Sequence, residues 1–346
     1  MRRCVALLLL CTGCDLVLLG DERPFKTGGV RRTITISPSS TMELLDFPVS
    51  VVTNADAGLR AHARPDGGDI SFTDTAGTPL SFERVAYADG SLEAWVRVTL
   101  QGQTQLIMHY GGEVAPFVRE EVWADDVMAA YHLAEPSGRV QDSTSNGYHL
   151  QPEPGHDPAT TPGMIGAGRA FSDLLNNEDR LCAPPGDVLR IGSSSFSLSL
   201  WMKAPLLLSG FDMPIYAGGE MPSSPGVDFE ISTTGWTVNL TDGTLGERID
   251  VLNPPTKRWA HVAFSVRRAT NAGVSFVDGQ RNSTSTFDPG LGAISAMPLC
   301  LGGPSGYGGE LDEVRIYSSP KAEDWFDAEF DNVMARDTFI VIGDEE

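Results

Sequence analysis

Ser195-Phe196-Ser197-Leu198-Ser199-Leu200-Trp201 is the stretch that decides the fold. Successive side chains of an extended strand point to opposite faces, so Phe196, Leu198 and Leu200 share one face. Working outward, short β-branched and aromatic runs recur at 32–36, 47–52, 95–100 and 105–110 on the N-terminal side. They continue at 229–232, 236–240, 261–266, 274–277 and 312–317. Gly, Pro, Asn and Asp separate these runs, and Val277-Asp278-Gly279 reads as a strand entering a hairpin turn, where Gly accepts positive φ cheaply. Many short strands joined by such turns predict an all-β protein of antiparallel sandwiches. No repeat of roughly 20 to 50 residues is present, which argues against a solenoid or propeller.

One helix is expected near the end. Ser319 is placed as its cap and Pro320 at its first position, where no N–H is needed. Phe326, Phe330 and Val333 recur at helical spacing beside Trp325, and Glu323, Asp324 and Asp327 suit the positive end of the helix dipole. The apolar stripe is expected to dock on the sandwich.

The 346 residues have room for one to three domains, and 37 Gly with 23 Pro make the chain turn-rich. A formal charge of −21 repels phosphate backbones, so nucleic acid is excluded as a partner. Such an excess serves solubility, and it also offers hard oxygen ligands of the kind Ca²⁺ takes.

At the N-terminus, Arg2 and Arg3 precede a compact apolar run from Val5 to Leu10, far below the ~20 residues a spanning helix needs. It reads as an export signal. Leu10-Cys11-Thr12-Gly13-Cys14 resembles the bacterial lipobox, which implies lipidation at Cys14, with residues 1–13 as signal peptide and 14–29 as tether. The alternative is an ordinary cleaved signal. The expected location is the cell envelope, with a lipid anchor in a membrane and the mature chain at the outer membrane, at the cell surface or facing the periplasm. Cys182 and Cys300 are the cysteines of the body; in an oxidising compartment they either form a disulfide or stay as two buried thiols. No Cys/His spacing suggests zinc.

Residues 30–116 resemble an uncharacterised bacterial β-domain that precedes laminin-G-like modules. Thr33-Ile34-Thr35-Ile36, Asp46-Phe47-Pro48-Val49, the 66–74 segment Asp-Gly-Gly-Asp-Ile-Ser-Phe-Thr-Asp, Pro79-Leu80-Ser81-Phe82-Glu83, Ala94-Trp95-Val96-Arg97-Val98 and Met108-His109-Tyr110-Gly111-Gly112 occur in its order. Asp66, Asp69 and Asp74 are read as Asx turns, with a metal cluster as the alternative.

Residues 119–346 resemble a laminin-G-like, concanavalin A-type jelly roll. The carriers are Ala130-Tyr131-His132-Leu133-Ala134-Glu135 with Asp142-Ser143-Thr144-Ser145-Asn146-Gly147, then Gly166-Ala167-Gly168-Arg169-Ala170-Phe171, then the 195–201 strand. Trp259-Ala260-His261-Val262-Ala263 and Gly309-Glu310-Leu311-Asp312-Glu313-Val314-Arg315-Ile316-Tyr317 close the set. The expected architecture is a small N-terminal β-sandwich followed by a concanavalin A-like jelly roll with a short C-terminal helix. The resemblance further implies that Asp142 and Asp312 come together and hold a structural Ca²⁺ with backbone carbonyls. A turn-forming Asp142 and a hydrogen-bonded strand residue Asp312 are the other reading.

Glycoside hydrolases on this scaffold need two carboxylates across a cleft, and the laminarinase pattern Glu-x-Asp-x-x-Glu is absent. Asp228-Phe229-Glu230 is the nearest acid run and is read as structural or ligand-contacting. His132 and His261 are expected to be packed imidazoles, and no nucleophile elbow or phosphate loop occurs. Catalytic residues are therefore expected to be none. The function read from the sequence is a non-enzymatic envelope module binding carbohydrate or a surface protein, with Trp236, Tyr216 and Tyr307 as candidate stacking residues. A scaffold without a small ligand is the alternative, and a glycan-active hydrolase the third.

Overall fold

In a computed structural model, the central stretch lies in the strand Phe196–Lys203, paired antiparallel with Ala260–Arg267 on one side and Glu310–Tyr317 on the other. The structure describes residues 29–113, 119–174, 177–184, 188–205, 211–218, 225–294, 297–303 and 305–346. The signal, Cys14 and nearly all of the tether lie outside the described residues, as does most of the 116–119 junction.

Leu198 stands between Phe264 and Ile316 in register, and Phe196, Leu198, Leu200 and Met202 all enter one apolar core. Burial of each such side chain contributes about 1.5–3 kcal/mol. That core fills the space between an eight-stranded sheet and a seven-stranded sheet, which is the jelly-roll sandwich. The hairpin at Asp278 and Gly279 has φ values of 50° and 79°, the left-handed pair that a two-residue turn between twisted strands requires. The seven-stranded sheet is further tied by a disulfide between Cys182 and Cys300, which are direct cross-strand partners. With a sequence separation of 118 it restricts the unfolded chain by about 4–5 kcal/mol in the chain-entropy account.

The N-terminal unit is a smaller sandwich of a three-stranded sheet (Leu44–Thr53, Ser91–Leu100, Phe82–Ala88) and a four-stranded sheet. Three strands of the latter, Val30–Ile36, Thr104–Tyr110 and Ser71–Asp74, come from the expected segment. The fourth is Ile340–Glu345, which pairs with Val30–Ile36 so that Ile34 faces Ile342 and Ile36 faces Ile340. The chain's last strand therefore belongs by pairing to the first unit, where the sequence reading had closed the second unit at 346. The physical reason is the open edge of Val30–Ile36, whose N–H and C=O groups need partners.

The C-terminal helix α1 spans Glu323–Met334. It begins later than the sequence reading placed it. Ala322 occupies the cap position without a side-chain hydrogen bond, because the Ser319 hydroxyl instead donates to the Asp126 carboxylate. Its buried face (Trp325, Phe326, Ala328, Glu329, Asn332 and Val333) packs between the eight-stranded sheet and the N-terminal unit. Asn332 accepts from the Ser50 N–H at 3.0 Å, and the Trp325 ring lies 5.0 Å from Phe47. Consequently the central strand is buried on both faces: Leu198 points into the jelly-roll core, while Trp201 joins the second core under the helix.

Candidate functional site

Two polar assemblies stand out, one buried at the junction of the two sandwiches and one on the face the junction leaves open. At the junction, the Arg315 guanidinium carbon is 4.4 Å from the centroid of the Trp95 ring and 5.4 Å from that of Trp123. Its Nη2 donates to Glu313 at 2.8 Å and its Nη1 to Glu329 at 3.3 Å. Glu329, from α1, also accepts from the Tyr317 hydroxyl and lies 3.3 Å from Nε2 of His261. His132 joins the two units, with Nδ1 2.9 Å from Glu313 and Nε2 3.3 Å from Glu83. Glu83 in turn accepts from Trp123 Nε1 at 2.9 Å and from the Ser143 hydroxyl at 2.8 Å.

Burial alone would depress the His132 imidazole, but Glu313 and Glu83 outweigh it and push it up to about 10. Burial would raise Glu329, yet the His261 hydrogen bond and the Arg315 charge hold it down at about 2. His132 and His261 are thus packed imidazoles as expected, and His132 is a buried imidazolium. Acid–base catalysis near neutral pH wants groups that titrate near neutral pH. His132 and Glu329 are displaced away from it, so this assembly works as a cross-link between the units.

The second assembly is a row. The seven-stranded sheet runs Gly246–Val251, Gly235–Thr241, Gly226–Ser232, Phe211–Gly218, Cys300–Leu301, Leu181–Cys182, Gln151–Pro152. In register, Arg248 faces Asn239, Asn239 faces Asp228, and Asp228 faces Tyr216. Tyr216 faces Cys300, Cys300 faces Cys182, and Cys182 faces Gln151. Their neighbours Ile249, Val238, Phe229, Ile215 and Leu301 all enter the core, so strand alternation turns the row to the opposite face. Among the described residues, neither hydrophobic cluster takes a side chain from that face. The eight-stranded sheet, by contrast, has its outer face covered by α1 and the N-terminal unit.

The middle of the row is recessed: Asp228 is 4% exposed and Asn239 7%, whereas Tyr216 and Glu230 are half-buried and Arg248 and Asp250 exposed. Asn239 Nδ2 donates to Asp228 at 2.8 Å and reaches Glu230 at 3.5 Å. Burial, reinforced by the Glu230 charge and opposed by the Asn239 bond, pushes the Asp228 carboxyl up to about 6.

Of the aromatic residues marked in the sequence, only Tyr216 is on this row. Trp236 is 3% exposed inside the jelly-roll core, beside Phe229, because it shares the inward strand face with Val238 and Leu240. Tyr307 is fully buried, its hydroxyl donating to the Glu310 carbonyl at 3.2 Å. Neither presents a ring face to solvent. Asp228 and Glu230, read only as the nearest acid run, turn out to sit at the centre. Asn239 and Arg248 were not marked, although each interrupts an apolar alternation.

Asp142 accepts from the N–H groups of Ala130, Thr144 and Tyr148 at 3.1, 3.0 and 2.9 Å. Asp312 accepts from Met164, Ile165 and its own neighbour Glu313 at 2.6, 3.1 and 2.9 Å. Oxygens ringed by N–H donors do not fit a Ca²⁺ shell, which needs lone pairs aimed at the ion. Among the described residues no group of three or more His, Cys, Asp or Glu is gathered as a metal site. Asp66 and Asp74 accept backbone N–H groups within local turns, as read, whereas Asp69 is a buried tertiary bridge that accepts from the N–H groups of Arg64 and, across the sheet, of Gly111.

Residues 175–325 match the family model of the Concanavalin A-like lectin/glucanases superfamily. The segment is similar to that superfamily, in keeping with the jelly-roll fold of its two packed sheets. No curated protein matches the chain. Among solved structures, the binding domain of Paraclostridial Mosquitocidal Protein 1 is similar at 15% identity and a TM-score of 0.48, over 60% of this chain and 52% of that one. The botulinum neurotoxin serotype G binding domain gives 12% and 0.47, over 59% and 50%. A botulinum neurotoxin type C structure, whose cell entry depends on interaction with two ganglioside molecules, gives 11% and 0.48, over 61% and 52%. The chain spans about half the length of each. Tyr216, Asp228, Asn239 and Arg248 of the polar row lie on four strands that fall wholly within the matched segment.

Proposed function

We propose that this chain is a non-enzymatic carbohydrate-binding module, displayed from the cell envelope by a lipid on Cys14, that seats its ligand on the row Tyr216–Asp228–Asn239–Arg248. The observation that carries the reading is this row, a recessed carboxyl–amide pair flanked by a tyrosine and an arginine on the sheet face that no helix or N-terminal strand covers among the described residues. Carboxylate and amide groups take sugar hydroxyls as donors and acceptors, and a tyrosine ring supplies apolar contact for a pyranose face. On these strands the carboxylates of Asp228, Glu230 and Asp250 outnumber the guanidinium of Arg248 among the described residues, so neutral sugars fit the face better than anionic ones. The lipobox-like Leu10–Cys14 segment supports the anchored placement.

A glycan array probed with the mature chain, Tyr216→Ala and Asp228→Asn tests this. Binding to neutral glycans that both variants weaken is expected. An array without signal, or signal indifferent to both substitutions, refutes the site.

A further inference from the structure

We propose that the Cys182–Cys300 disulfide is a positioning element of the carbohydrate site, holding Tyr216 in the row, and not merely a staple of the fold. The inference rests on the reading of that row as the ligand seat.

The asymmetry around Tyr216 motivates it. Towards Asp228, the strand Phe211–Gly218 is held by six registered pairs with Gly226–Ser232. On its other side it pairs with Cys300–Leu301 through two registered pairs, Ile215 with Leu301 and Tyr216 with Cys300, and the loop that follows adds N–H bonds from Gly302 to Pro214 and from Gly303 to Met213. Cys300–Leu301 is itself two residues long, and its outer neighbour Leu181–Cys182 is equally short, with two registered pairs between them. Two successive two-residue strands, extended by single bonds such as that from the Ala183 N–H to Leu299, carry the register of this half of the sheet, so a covalent tie between them bears directly on it. The sulfur bridge lies on the outer face, in line with the row, because Leu181 and Leu301 turn inward to the core. Cys300 is therefore the wall against which Tyr216 stands, and the covalent bond to Cys182 keeps that wall in register. Asn239 and Arg248, two and three strands further along, are held by long pairings of their own and do not depend on it.

Both cysteines are half-buried, within reach of a small reductant. With dithiothreitol, the S–S bond breaks and two electrons and two protons pass to the sulfurs of Cys182 and Cys300. The reagent closes to its own cyclic disulfide.

The test compares four full-length mature chains: the native sequence, Cys182→Ala with Cys300→Ala, Tyr216→Ala, and the triple variant, with dithiothreitol-reduced native chain as a second form of the unbridged state. Affinity for laminarin and for a galactose-terminated neutral oligosaccharide is measured well below the melting temperature of the least stable variant, alongside amide exchange along 211–251. Loss of the bridge is expected to weaken binding about tenfold and to speed exchange at Ile215 and Ala217, with the 235–251 strands unchanged. In the Tyr216→Ala background the loss of the bridge should then cost nothing further. A bridge that only stabilises the fold would lower the melting temperature and leave affinity and exchange at these positions as they were; that result overturns the proposal. If the native chain binds neither glycan, the reading of the row fails on its own, and exchange at Ile215 and Ala217 still decides whether the bridge positions Tyr216.

Discussion

The guanidinium of Arg315, from the eight-stranded sheet, lies over the ring of Trp95, from the N-terminal sandwich, with 4.4 Å between guanidinium carbon and ring centroid. Around this contact the two sandwiches are cross-linked by charged groups that are buried on every side: Glu83, His132, Glu313 and Glu329. The contact explains why the N-terminal unit and the jelly roll bury a shared core that also takes in the helix.

Removing Arg315 takes the guanidinium from Glu329 and leaves Glu313 with His132 alone in the interior. Such a loss typically costs about 3–5 kcal/mol. Arg315→Ala is expected to lower the urea midpoint by that equivalent, and Arg315→Lys to recover only part, since an ammonium cannot fork to two carboxylates while lying flat on a ring. A midpoint for Arg315→Ala within error of the native chain would show that the network contributes nothing net.

His132 carries a raised folded pKa of about 10, so the stability it supplies is complete below its unfolded value near ~6.5 and is lost as pH rises through about 10. Urea midpoints should fall between pH 7 and 10.5, and His132→Gln should flatten that decline while being less stable throughout. Glu329 has the opposite sign: its folded value of about 2 gives stability that is present above the ordinary carboxylate range and lost as pH falls towards 2. Identical alkaline slopes in native and His132→Gln chains would remove His132 from the account.

The aspartates implied as Ca²⁺ ligands are expected to act without the ion. Melting temperatures in EDTA and in millimolar Ca²⁺ should coincide, while Asp312→Ala should destabilise, because the buried N–H groups of Met164 and Ile165 lose their acceptor at about 1–3 kcal/mol each. A chelator-sensitive melt restored by Ca²⁺ would reverse this reading.

Asp228 titrates near about 6, in a range that ordinary carboxylates do not reach. Below that pH it gains a proton and loses acceptor capacity, and the ionised fraction then falls about tenfold per unit. Affinity for neutral glycans is expected to drop from pH 7 to pH 5, and Asp228→Asn to bind weakly with no such dependence. A pH profile shared by both chains would take Asp228 out of the site.

Much of the architecture was legible in the chain itself. Alternation in 195–201 placed Phe196, Leu198 and Leu200 on one face, and the Asp278-Gly279 turn named its own hairpin, because both follow from local backbone geometry. The helix was found from the spacing of Phe326, Phe330 and Val333. Its start was misplaced, since Ser319 has a tertiary partner, Asp126, that no local rule can see. The aromatic residues show the same divide. Size and type marked Trp236, Tyr216 and Tyr307 alike, yet only strand pairing turned Tyr216 outward while sending the other two into the core.

What the sequence determined by itself was the all-β pattern and the positions of the turns, since strand period and turn chemistry act within a few residues. Tertiary structure alone decided which polar residues became neighbours: Arg248, Asn239, Asp228 and Tyr216 form a row only because their strands lie side by side. It also decided that residues 340–345 close the first sheet, that Cys182 meets Cys300, and that Asp142 and Asp312 are filled by backbone N–H groups. Each of these depends on register between segments far apart in the chain, which is set by how whole faces bury against one another.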